Sequence, residues 1–193
     1  MPLGGDFSEI DEVELFALDQ ADATNGIREF PDAGQPELFV ALGGEVSIES
    51  AQGRLTLRRK DWFVAPPGGV RIMSARWASP ERYAPSAFYP CEVARIRGTW
   101  SELNSVTVFQ FRPENPCELH FHDFDEYWLI FRGHAEAVIA GERVPVRPGF
   151  FHANPMGQEH GLPELSETVE GVCLSTGRRG RRRQGHLHLP EDA

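Results

Sequence analysis

Long apolar runs are missing from this chain. Its aliphatic–aromatic stretches reach about five residues, far short of the ~20 that a membrane helix needs. The start, MPLGGDFSEIDEVE, is acidic and has no apolar stretch, so no secretory leader is expected there. Cysteine is scarce: Cys91, Cys117 and Cys173 are widely spaced and odd in number, which argues against a disulfide framework and for free thiols in a reducing cytoplasm. Positive charge is in deficit, with 19 Lys and Arg against 29 Asp and Glu and a net charge of −10. That balance argues against nucleic acid or an anionic membrane as the partner of the whole molecule. No segment sustains a 3.6-residue period, so a helical bundle is excluded as well.

What is present is β structure, closely punctuated. The 193 residues are 40% apolar and 25% charged, with 15 prolines and 19 glycines, enough for a real core interrupted by many turns. Strand-like segments follow one another: VELFAL (13–18), ELFVAL (37–42), EVSIES (45–50), RLTLRR (54–59), DWFVAP (61–66), SVTVFQF (105–111), EYWLIF (126–131), EAVIA (136–140) and FFHAN (150–154). Short strands at regular spacing between Gly and Pro turns predict a sandwich or barrel.

The chain also repeats itself. Sliding it by 89 residues places Glu37 on Glu126, Gly44 on Gly133, Arg54 on Arg143, Arg58 on Arg147, Pro66 on Pro155 and Gly68 on Gly157, without a gap. Glycine and proline fix backbone geometry, so turns that match in register mark two similar β-units. Their polar residues differ. On this slide His120 and His122 meet Pro31 and Ala33, and His160 meets Arg71.

Only seven histidines are available, and three of them stand in two motifs of fixed spacing in the second copy. The first is His120-x-His122-x3-Glu126-x6-Gly133, and the second is Gly149-x5-Pro155-x-Gly157-x2-His160. Residues i and i+2 of a strand share a face, so His120 and His122 project together. Glu126 follows a short turn at the start of the next strand, and the Pro155–Gly157 turn brings His160 in from elsewhere. Three imidazoles and one carboxylate suit a divalent transition metal (Fe, Mn, Ni, Co or Zn) rather than Ca or Mg. If the ion is octahedral, four protein ligands leave two positions open, the mark of a catalytic rather than a structural site. The bland alternatives are a cross-strand histidine pair, a solvated face, or a vestigial site that binds metal and catalyses nothing.

These two motifs resemble the pair that defines the cupin superfamily, matched at every position except the last, where Glu164 stands in place of Asn. The resemblance is strong over about 50 residues, and the degenerate repeat extends it over most of the chain, as in bicupins. It implies an all-β, double-stranded β-helix (jelly-roll) bicupin. Residues 10–97 would form a degenerate barrel half without metal, 98–177 a metal-binding barrel, and 178–193 a basic C-terminal tail. It further implies His120, His122, Glu126 and His160 as ligands of one divalent ion, a small-molecule substrate, and a homodimer.

Other residues carry two readings each. Trp128 shares parity with Glu126 and is either pocket wall or ordinary core. His152 and Asn154 share one face of FFHAN; they read as an acid–base or orienting group and a pocket residue, or as satisfied core groups. Cys173 reads as a small buried hydrophobe. Arg71, which cannot ligate a metal, reads as a binder of a carboxylate or, in preference, as the partner of an acidic residue. The tail places five arginines in 178–183 but interleaves no aromatics, so it reads as solvated or as docking on an acidic partner surface. His186 and His188 repeat the His-x-His spacing without a carboxylate and are weak evidence of a second metal.

The expected function is a cytoplasmic, metal-dependent enzyme acting on a small oxygenated organic molecule, with an Fe(II)-type dioxygenase as the leading subtype. Isomerase, lyase, hydrolase and decarboxylase chemistries occur among cupins too. The alternative from another class is a small-ligand sensor or binding protein. No pair of adjacent helical patterns is present to serve as a DNA-reading module.

Overall fold

A computed structural model describes residues 10–18, 26–74, 91–98, 103–176 and 186–188. The chain forms two compact units, one within residues 8–100 and the other within residues 101–193. Residues 178–185 and 189–193 of the basic tail lie outside the described set, as do those at 75–90.

Among its described residues the first unit holds eight strands: β1 (Ile10–Leu18), β2 (Ile27–Phe30), β3 (Glu37–Gly43), β4 (Glu45–Ser50), β5 (Gly53–Arg58), β6 (Trp62–Ala65), β7 (Val70–Ser74) and β8 (Cys91–Gly98). They form two four-stranded antiparallel sheets, ordered β1-β8-β3-β6 and β2-β7-β4-β5. Alternation decides what each strand buries. Phe39 and Ala41 of β3 meet Val46 and Ile48 of β4 and Val70 and Ile72 of β7 in one apolar cluster between the sheets. Outward residues pair across β4 and β5, where Arg54 Nε donates to Glu49 at 2.7 Å and Arg58 Nε to Glu45 at 3.1 Å. Such exposed pairs contribute ~0–1 kcal/mol each, so burial between the sheets supplies most of the stability.

The second unit repeats the plan with β9 (Leu103–Phe111), β10 (Cys117–His120), β11 (Glu126–Arg132), β12 (Ala135–Ile139), β13 (Glu142–Val146), β14 (Phe151–Asn154), β15 (His160–Leu162) and β16 (Val169–Thr176). Its sheets run β9-β16-β11-β14 and β10-β15-β12-β13, the first unit's two orders advanced by eight strands. Trp128, Ile130, Ala137, Ile139, Val146 and Leu162 fill its core. Gly133 shows what a motif glycine is for. Its φ is +83°, and a Cβ there would lie 2.3 Å from the carbonyl oxygen of Thr168, so no other residue fits the turn after β11.

The duplication is therefore structural, and the fold is an all-β jelly-roll bicupin. All nine strand segments read from the sequence lie on strands. The 89-residue slide relates β3 to β11, β4 to β12, β5 to β13 and β6 to β14, but it fails by one residue on β2 and β7. Phe30 pairs with Val70 as His120 pairs with His160, so the offset there is 90. The residues standing in for the imidazoles are thus Phe30, Asp32 and Val70, not Pro31, Ala33 and Arg71. A one-residue slip reverses the face a strand residue takes. Arg71 accordingly points outward, half-exposed, pairing with Glu29 at 3.3 Å and Glu49 at 3.7 Å. Among the described residues, no helix is long and apolar enough to cross a membrane.

Candidate metal centre

In the second barrel the side chains of His120, His122, Glu126 and His160 converge, each offering a ligand atom, with all four atoms within 4.8 Å of one another. All four residues are buried. His120 ends β10 and lies directly across from His160, which opens β15. His122 lies two residues past His120, beyond the end of β10. Glu126 opens β11 in the facing sheet, so the quartet joins one neighbouring-strand pair to a carboxylate from across the barrel interior. The two motifs are also tied through the backbone. Met156 N–H donates to Asp125 Oδ1 at 2.8 Å and Gly157 N–H to the His122 carbonyl at 2.8 Å, fixing the turn before His160 against the turn before Glu126.

The residues fit a divalent transition ion on their own chemistry. His120 Nδ1 lies 2.7 Å from the Glu118 carbonyl, and His160 Nδ1 lies 2.8 Å from the Gln158 carbonyl. A carbonyl only accepts, so each Nδ1 carries the hydrogen and each Nε2 turns a lone pair inward, the tautomer that metal-binding imidazoles use. Those lone pairs meet: His120 Nε2 is 3.1 Å from His122 Nε2, and Glu126 Oε2 is 3.1 Å from His160 Nε2. Such convergence of acceptors is what a cation satisfies. Burial lowers the His120 pKa to about 4, opposed by its bond to Glu118 and helped by His160 and His186, so this ring is neutral and ready to ligate. Burial alone would raise the pKa of Glu126. The neighbouring His122 and His160 rings and the Cys173 thiol outweigh it and hold the carboxyl well below the usual range, as an anion.

Trp128 has a role beyond wall or core. Its indole Nε1–H donates to Glu126 Oε2 at 2.7 Å, while its ring meets His160 edge-on at 5.1 Å. Cys173, read from sequence as an inert hydrophobe, donates its thiol hydrogen to Glu126 Oε1 at 3.0 Å. Both carboxylate oxygens are thus oriented from outside the quartet.

A cavity of about 290 Å³ opens on this centre, at the small end for ligand sites. Phe109, Phe111, Phe124 and Trp128 give it an aromatic wall. Ser105, Thr107, Cys173 and Ser175 line it with hydroxyl and thiol groups. His120, His122 and Glu126 face it directly. Residues 105, 107, 109 and 111 are alternate positions of β9, and parity along that recognised strand was the signal that sequence reading left unused.

Asn154 and His152 do not line the cavity. They lie on β14, the edge strand beyond β11, so Glu126 and Trp128, their register partners, stand between them and the open space. Both polar atoms of Asn154 and the Nε2 of His152 are buried without a hydrogen-bond partner among the described residues. Burial and the proximity of His160 lower the His152 pKa, and its ring stacks on Phe150 at 5.9 Å.

No family model matches the sequence. Among curated proteins the chain is similar to the uncharacterized protein y4oW of Sinorhizobium fredii, 26% identical over 199 residues that take in 93% of this chain and 88% of the relative. Among solved structures it is similar to AerE from Microcystis aeruginosa, with a TM-score of 0.57 at 12% identity over 86% of each chain. It is also similar to YhaK from Escherichia coli, at 0.57 and 10% identity over 91% of this chain and 88% of that one. A vicilin from Solanum melongena gives 0.56 at 7% identity over 89% and 76%. At such identities the likeness is one of fold, and it agrees with the strand order and the duplication. The chain thus has a two-barrel cupin fold, whose second barrel gathers the buried His/Glu quartet.

Proposed function

We propose that the second barrel is the site of a metal-dependent enzyme that acts on a small oxygenated organic molecule, with Fe(II)-type dioxygenation as the reaction. One observation carries this reading: four buried donors, two of them imidazoles with preset tautomers, converge beside an aromatic-walled cavity instead of sealing themselves off. His120, His122, Glu126 and His160 hold the ion. When bound, the ion supplies Lewis acidity and, as Fe(II), a redox centre able to meet substrate and dioxygen together.

The chain's own residues do the rest. Phe109, Phe111, Phe124 and Trp128 exclude water and stack on a flat, unsaturated substrate. Ser105, Thr107 and Ser175 offer hydroxyls to its oxygen atoms. Trp128 and Cys173 keep the Glu126 carboxylate in one orientation. His152, one strand removed from the cavity, acts as an orienting group near His160 rather than as a proton carrier to substrate. The first barrel is proposed to be metal-free, since Phe30, Asp32, Glu37 and Val70 replace the quartet.

Elemental analysis of protein purified without added metal, followed by oxygen-electrode assays on catechols, thiols, diketones and sugar acids, tests the reading. Stoichiometric iron with oxygen uptake that His122→Ala abolishes is the expected result. Tight binding of a panel member without turnover, under air or argon, would replace the enzyme with a ligand-binding protein.

A further inference from the structure

The C-terminal His-x-His does not float free. Leu187 and Phe121 exchange both backbone hydrogen bonds, each at 2.9 Å, as an antiparallel bridge. His188 Nδ1 lies 3.0 Å from the Leu119 carbonyl. Residues 186–188 therefore lie along β10, the edge strand of its sheet, and cover part of an edge that would otherwise be open. Residues i and i+2 share a face, so the bridge at Leu187 turns both imidazoles toward His120. The His186 ring stacks on His120 with centroids 4.2 Å apart and planes 14° apart. It stands 5.1 Å from His122 and lines the same cavity as His120, His122 and Glu126. It does not belong to the four-donor cluster, so its place is at the cavity wall, with its ring face on a ligand histidine.

We propose that His186 is a substrate-contacting residue of the second barrel, delivered by this short C-terminal strand, and that it recognises an oxygen-bearing anion lodged against the open side of the metal. The inference rests on the metal reading above and names a residue and a ligand charge that the reading leaves open. The charge follows from the donors. A divalent ion held by one carboxylate and three neutral rings keeps net positive charge, which favours an anion beside it. An imidazole keeps at least one N–H donor, and the place of His186 at the cavity wall offers that donor to such a ligand.

The test uses full-length protein loaded with Co(II), with azide as the anionic probe followed by visible absorption. Four proteins are compared: wild type, His186→Ala, His186→Phe and Leu187→Pro. Phenylalanine keeps the stacking surface and loses the N–H, whereas proline removes the donor that bridges to Phe121. Co(II) affinity is expected to stay within about 2-fold of wild type in all of them, while azide affinity falls about 10-fold, the loss of one charge-assisted hydrogen bond. Equal azide affinity in wild type and His186→Phe would overturn the inference and leave the metal reading intact. Loss of Co(II) binding in His186→Ala would make His186 a metal ligand and overturn the inference too. Failure of the wild type to bind Co(II) would remove both.

Discussion

Arg95 occupies in the first barrel the place that Cys173 occupies in the second. Arg95 lies across from Phe39 on β3, as Cys173 lies across from Trp128 on β11, and each donates to the glutamate that opens its partner strand. Arg95 Nε reaches Glu37 Oε1 at 2.9 Å, and Cys173 Sγ reaches Glu126 Oε1 at 3.0 Å. The Arg95 guanidinium also lies 4.4 Å over the ring of Phe30, the counterpart of His120. A side-chain cation thus meets the inward carboxylate in one barrel, where the other barrel gathers imidazoles, an indole and a thiol around it.

This arrangement predicts a lopsided response to mutation. Arg95→Met leaves the Glu37 carboxylate buried without its counter-charge and is expected to cost about 3–5 kcal/mol in chemical denaturation. Adding Glu37→Leu removes the stranded charge and is expected to restore most of that loss. A single mutant of unchanged stability would refute the buried pairing.

Removing a donor from the quartet is expected to abolish tight metal binding without unfolding the barrel. His122→Ala and Glu126→Gln should each weaken Co(II) or Fe(II) binding on the order of 100-fold or more, beyond what loss of an outer partner causes. Calorimetric titration reads the affinity and far-UV dichroism the fold. Trp128→Phe, which deletes only the indole donor to Glu126, should weaken binding by about 10-fold.

Gly161 lets β15 approach β10 closely. A Cβ there would lie 2.8 Å from the Glu118 carbonyl and 3.0 Å from that of Cys117, so Gly161→Ala must push the two strands apart. His120 and His160 sit on those strands. The variant is expected to lose about 1–3 kcal/mol of stability and, after metal loading, to show an altered Co(II) spectrum. An unchanged spectrum would mean that the pair tolerates the displacement.

Asn154 is buried with both amide atoms unpartnered among the described residues. Asn154→Leu, similar in size and free of that desolvation penalty, is expected to stabilise the second barrel by about 1 kcal/mol. Thermal unfolding should rise by roughly 2–4 °C. A fall in the midpoint would show that the amide is satisfied in solution.

Much of this was legible in the sequence, for identifiable reasons. The quartet announced itself because its members are few, chemically uncommon in strands, and close together in two motifs. β3, β4, β6 and β11 were legible from alternation and aromatic content. β8 escaped notice because Arg95 and Arg97 break its apolar pattern, and an arginine inside a barrel is recognisable only once its glutamate is located. The offset of 90 on β2 and β7 was hidden because the glycines and prolines that set the slide lie outside those two strands. Cys173 and His186 were missed for a further reason: each acts through a contact distant in sequence, with Glu126 and with His120.

The guanidinium of Arg95 is built in during translation and cannot be lost, so the first barrel leaves the ribosome with its inner charge already balanced. On the metal reading proposed above, the quartet of the second is completed by an ion from the surroundings. Chelation or metal scarcity should therefore soften one half of the polypeptide and spare the other, making folding of the second barrel a gauge of the ion's supply.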